Sequence, residues 1–173
     1  MQFPNTLLVL FFALFSAALA APIFNDRRAN APVFKQQTYN QLSISGGKAG
    51  DAQAKALARF SALNLNDAKN VAKADLDFLN SVNQIANKAE TQAYNPAIEK
   101  STGSEKVALQ NGKIQNKVLK LTATVLKLKV QQAQGQNVAA KLAEEQKKLD
   151  NNIKLDKAAS GQSATKVSFT AST

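Results

Sequence analysis

Four carboxylates are the chain's best candidates for acid–base chemistry: Asp75 and Asp77, and the adjacent pair Glu144-Glu145. Paired carboxylates can divide the general-acid and general-base roles between them. Adjacent side chains on a helix point about 100° apart, however, so neither pair converges on a substrate unaided. The chain has no histidine and no cysteine. That removes the usual general base, the Ser-His and Cys-His arrangements, thiolate chemistry and the commonest metal ligands. Ser45-Gly46-Gly47 is rich in glycine but lacks the spacing of a phosphate-binding loop. The sequence therefore reads as non-enzymatic, with no metal and no cofactor.

Charge is the other chemistry on offer, with 22 Lys and Arg against 12 Asp and Glu. Lys106, Lys113, Lys117, Lys120 and Lys127 fall within an arc of roughly 80° on a helix. No acidic residue lies between Glu105 and Glu144. Such a stripe suits an anionic partner, either an acidic glycan or lipid headgroups. The plainer reading is a solvated helix face, the ordinary place for lysine. Nucleic acid is disfavoured, since residues 105–134 hold neither arginine for bidentate contacts nor an aromatic ring for stacking.

The element that carries the stripe spans residues 105–134 and organises the rest. Ile114, Val118, Leu121, Val125 and Leu128 form one apolar line at spacings of four and three. Leu119, Leu126 and Val130 form a second line about 120° away, which predicts a central helix with more than one neighbour. Thr102-Gly103-Ser104-Glu105 has the spacing of a capping box, and Gly135 is the expected stop. Before it, Asp51 is the expected N-cap of a helix running to about Leu63, with Leu57 and Phe60 inward. A second helix is expected over about 67–93, its line being Leu79, Val82, Ala86, Ala89 and Ala93. Asn95-Pro96 should end that helix and can open a short helical turn. A last helix is expected over about 137–159, with Val138, Leu142, Leu149 and Ile153 inward.

The predicted fold class is all-α: a bundle of about four helices with a short extended N-terminal arm and a flexible C-terminal tail. The arm covers 29–48, the bundle 49–160 and the tail 161–173. Gln41 to Ser45 alternates like a short extended piece, and residues 166–170 alternate weakly, so the two could pair; a frayed terminus is the expectation.

Residues 1–20 read as a signal peptide, with an apolar run over 7–15 and Ala18-Leu19-Ala20 before the cut. Cleavage is expected after Ala20. Arg27-Arg28 is a dibasic pair, so 21–28 reads either as a pro-segment cut after Arg28 or as a disordered N-terminus with two solvated arginines. Removing 1–28 takes away Arg27, Arg28 and Asp26 and leaves 20 basic and 11 acidic side chains. Nothing later approaches 18 consecutive apolar residues, so no transmembrane segment is expected in the mature chain. A secreted chain without cysteine must be stabilised by helix packing alone.

Four segments carry a resemblance. They are Tyr39-Asn40-Gln41-Leu42-Ser43-Ile44-Ser45-Gly46-Gly47, Asn95-Pro96-Ala97-Ile98-Glu99, Lys117-Val118-Leu119-Lys120-Leu121-Thr122 and Lys141-Leu142-Ala143-Glu144-Glu145-Gln146-Lys147-Lys148-Leu149. Over about 39–161 the chain resembles the cysteine-free small secreted proteins of filamentous ascomycete fungi. The resemblance implies an extracellular, effector-like protein, and it brings no catalytic residues. Many fungal effectors are rich in cysteine, and this chain departs from them there. The expected function is a secreted, non-enzymatic interaction protein acting on a host or cell-wall component, with an extracellular carrier of an apolar ligand between the helices as the alternative.

Overall fold

A computed structural model describes residues 30–173; the signal-peptide and pro-segment expectations, with Ala20 and Arg28, lie outside the described residues. α1 is a single turn, Tyr39–Leu42, and α2 spans Ala52–Arg59. A 3-10 stretch, Leu65–Asn70, leads into α3, Lys73–Ala89. One π turn, Glu90–Tyr94, joins α3 to α4, Asn95–Lys100. Then come α5, Gly103–Ala133, and α6, Ala139–Ala158. Two short strands, β1 (Gly47–Lys48) and β2 (Ser163–Ala164), pair antiparallel with Gly47 opposite Ala164. The fold is an all-α bundle, as its periodicity predicts.

α5 is the axis, packed against α2, α3, α4, α6 and β2. Val118, Leu121, Val125 and Leu128 are buried along one line, and Leu119, Leu126 and Val130 along the other. Ile114, at the start of the first line, is half-buried. The helix stops as expected at Gly135 (φ 91°). There the Gln136 N–H bonds the Gln131 carbonyl and the Gly135 N–H the Gln132 carbonyl, the two bonds of a Schellman closure.

Local expectations fail in instructive ways. Asp51 caps nothing: its carboxylate pairs with Lys55 at 2.9 Å. The N-terminal N–H of α2, that of Ala52, donates instead to Asp156 of α6 (2.9 Å), so the cap arrives from a different helix. Leu57 is half exposed, because α2 packs through the small residues Ala52 and Ala56 and then Phe60, a line on which Leu57 does not lie. Thr102 stands at the N-cap of α5 without a side-chain bond, whereas Thr38 and Gln41 form a complete capping box on α1. That box folds Tyr39–Leu42 into a helical turn, so the extended piece expected over Gln41 to Ser45 does not form. Asn95 does not end the helix; its backbone stays helical (φ −58°, ψ −50°) through Pro96. The π turn just before it adds one residue, so Tyr94 takes the buried place expected of Ala93.

The segment expected to be a flexible tail is tied down by hydrogen bonds. β2 pairs with β1 and not with Gln41 to Ser45, and Ser172 bridges to Thr38. The Tyr39 N–H donates to the Ala171 carbonyl (2.8 Å), and the Phe169 ring meets Tyr39 edge-on at 5.8 Å. At the other end of the arm, Asp75 accepts the backbone N–H groups of Val33 and Phe34 (2.9 and 3.0 Å), which sets Phe34 on Phe78 at 4.6 Å.

Candidate anion-binding face

The five stripe lysines do share one face of α5, but four of them turn toward α3 and α4. Lys127 Nζ donates to Asn80 Oδ1 (2.9 Å) and Lys120 Nζ to Asn87 Oδ1 (3.0 Å). Glu90 receives Lys120 at 2.8 Å and Lys117 at 3.3 Å. Lys113 Nζ donates to Asn95 Oδ1 (2.7 Å). Between them, Asn83 donates to Thr124 Oγ1 (2.7 Å). Lys106 alone of the five is exposed.

This ladder is an antiparallel register made visible. From Asn80 through Asn83 and Asn87 to Glu90 the steps are three, four and three. From Lys127 through Thr124 and Lys120 to Lys117 they are three, four and three in reverse. The next rung breaks the rule: Glu90 to Asn95 is five, while Lys117 to Lys113 is four. The π turn supplies the extra residue and so keeps Asn95 in reach of Lys113. Long lysine stems cover the edge of the helix packing while their amines meet polar groups at its rim. The α3 partners were missed in the sequence reading, although their spacing mirrors that of the stripe.

The electrostatics follow from these contacts. Burial pushes the Glu90 carboxyl up, but the hydrogen bond and charge of Lys120, with help from Lys117, outweigh it and hold Glu90 below the ordinary carboxylate value. Lys127 is held below the ordinary lysine value, first by burial and then by the like charge of Lys141, with Asp77 opposing. Lys141, on α6, was not among the residues singled out from the sequence. It lines a cleft of about 240 Å³ together with Lys127, Asn80, Asn83 and Glu145. A second cleft, about 470 Å³, opens on the other side of Asn80 and Lys127 and is lined by Lys69, Lys73, Gln131 and Gln134.

The four candidate carboxylates do not meet. Asp75 is buried as an acceptor for the N-terminal arm, and Asp77 pairs with Lys73 at 2.6 Å. Glu144 and Glu145 both bind Lys148, at 2.6 and 2.9 Å. Their hydrogen bonds, Glu144's first, push the Lys148 ammonium up to about 12, while Glu144 is lowered by the same bond. Among the described residues no cluster of three metal-ligating side chains occurs, and no helix is long and apolar enough to cross a membrane.

A family model described as a domain of unknown function (DUF8454) matches residues 34–168. No curated protein and no solved structure matches the chain.

Proposed function

The chain belongs to that domain family, and from its charge and surface we propose that it is an exported, non-catalytic binding protein for an anionic component outside the cell. The observation that carries this reading is an uneven burial of charge. Two acids, Asp75 and Asp156, are buried, each with 2% exposure. Every Lys and Arg among the described residues is exposed or half-buried. The accessible surface is therefore more basic than the composition states, and it attracts anions over the range that salt permits. The carrier reading has less support, since the clefts described above open at the surface and set Asn, Gln and Lys beside their few apolar side chains.

Retention on an immobilised acidic polysaccharide, against a neutral one, is the test. Retention should fall as salt rises from about 0.1 to about 1 M, where the screening length shrinks from about 10 to about 3 Å. Equal retention on both matrices, unmoved by salt, would sink the reading. Export is tested separately by intact mass from culture medium: the chain should begin at residue 21 or 29, and one beginning at Met1 would overturn secretion.

A further inference from the structure

The two clefts share two side chains, Asn80 and Lys127, whose hydrogen bond (2.9 Å) stands between them, so they adjoin across that pair as a two-part groove where α3, α5 and α6 meet. The groove contains two acids, and both are already paired with a lysine, Asp77 with one that lines the groove itself. Asp77 is paired with Lys73 and Glu145 with Lys148. None of the ion pairs among the described residues includes Lys127, Lys141 or Lys69. Three cations thus line the groove without a carboxylate at ion-pair distance. Lys127 sits among them with its amine anchored on Asn80 and its charge opposed by that of Lys141. A site that crowds like charges in a partly desolvated place gains most when an anion enters it.

We propose that this groove is the seat of an acidic oligosaccharide, a sugar chain bearing carboxylates, with Lys127 and Lys141 as its central anion contacts. The proposal rests on the reading that the partner is anionic, and it names the partner's class and place. Two features favour a sugar chain over a lipid surface. The groove is recessed, so an oligomer can enter it while a flat bilayer meets only its rim. Its walls carry the amides Asn80, Gln131, Gln134 and Gln136, and an amide both donates and accepts, as a row of hydroxyls requires. Gln134 is already oriented, its Nε2 donating to the Val71 carbonyl (3.0 Å), which leaves its oxygen available. Aromatic rings are missing from both linings, so recognition depends on charge and amides and must be sensitive to salt.

The test uses the full secreted chain and an oligogalacturonate as probe, read by calorimetry and by the Nζ resonances of lysine. Lys127→Gln with Lys141→Gln should weaken binding about tenfold or more, the loss expected for two charged contacts. Lys147→Gln with Lys154→Gln and Lys157→Gln, which removes three exposed charges from α6, should leave affinity nearly unchanged. On adding the oligomer, the titration of Lys127 should move upward toward the ordinary lysine value. Should Lys127→Gln fail to fold, Lys141→Gln alone decides, since Lys141 is exposed. Equal losses in the two sets would mean that net charge alone acts and would overturn the seat. Binding by the unmutated chain that ignores both groove lysines would overturn the seat while leaving the anionic partner standing. Binding to vesicles of anionic lipid and not to the oligomer would overturn the sugar assignment, and no salt-dependent binding to any of these probes would overturn both readings.

Discussion

The two halves of α5 hold their neighbours by opposite means. Its C-terminal half, from Val118 to Val130, is apolar toward α3 and α6. Its N-terminal half buries Asn111, Gly112, Gln115 and Asn116. Gln115 accepts the Gly46 N–H (2.9 Å) and donates to the Lys48 carbonyl (3.0 Å), so one side chain holds the β1 turn at two points. Asn111 donates to the Ser163 carbonyl (2.9 Å), and the Ser45 hydroxyl donates to the Gly112 carbonyl (2.8 Å). The reason lies in what is being held. A helix has already paired its own backbone, so an apolar face suffices to bind it. An extended segment brings unpaired N–H and C=O groups, and a face that buries it must supply partners. The β1 turn and the C-terminal segment lie on the polar half, while α6 and most of α3 lie on the apolar one.

The largest effect should come from the apolar half. Leu119 is fully buried, and Leu119→Ala should cost about 2–5 kcal/mol in denaturant unfolding. Loss of less than about half a kcal/mol would mean that this line is not core. In the polar half the penalty comes from orphaned groups and not from a cavity. Asn116 accepts the buried Tyr39 hydroxyl (2.9 Å) and donates to the Ala86 carbonyl (2.9 Å). Asn116→Ala should cost about 1–3 kcal/mol. Burial first, then the nearby Tyr94, raises the Tyr39 phenol well above its ordinary value, so the hydroxyl stays protonated and in need of an acceptor. If Asn116→Leu proved as stable as the parent, the polar half would not need its polarity.

How much of this was legible in the sequence divides along the same line. The apolar half announced itself by spacing, since burial of a helix face leaves a periodic record. Asn111 and Gln115 left none, because they bond backbone groups of segments that carry no side-chain signature, and Asn116 left none because its partners, the Tyr39 hydroxyl and the Ala86 carbonyl, are distant in sequence. The lysine stripe was visible on α5, but its destination was not. Asn80, Asn83, Asn87 and Glu90 share the mirrored spacing, yet they read as a polar outer face unless the helix pairing is already known. Thr38-Tyr39-Asn40-Gln41 carried a capping-box signal equal to that of Thr102 to Glu105, and only the former closes. Lys141 gave no signal at all, because its place beside Lys127 depends on how α6 returns across α5.

A subtler break is available at Gly112. A side chain there would run into the Thr165 carbonyl, where the C-terminal segment crosses the helix. The Thr165 N–H is bonded to the Ala108 carbonyl (2.8 Å), so the segment cannot shift without losing that bond. Gly112→Ala should therefore loosen residues 163–173 to proteolysis and amide exchange. Crowding costs about 1–3 kcal/mol, while alanine favours the helix by about 1, so global stability should fall by only about 0–2 kcal/mol. Unchanged exchange in 163–173 would show that the polar half does not depend on close approach.

The smallest expected effect lies at the rim of the apolar half, where Glu90 meets Lys120 and Lys117. Glu90→Gln should cost less than about 1 kcal/mol at neutral pH, as for other ion pairs near a surface. The pH dependence carries more information than the size. Glu90 is held below the ordinary carboxylate value in the folded chain, so the unfolded chain takes up its proton first as pH falls. Its contribution is fully present above the unfolded value of about 4.3 and is lost as pH falls through the lower folded value. Urea midpoints of the parent and of Glu90→Gln should differ at pH 7 and draw together toward pH 2. A constant gap across that range would mean that the two lysines do not hold the carboxylate ionised, and that the rim is fastened by the amides alone.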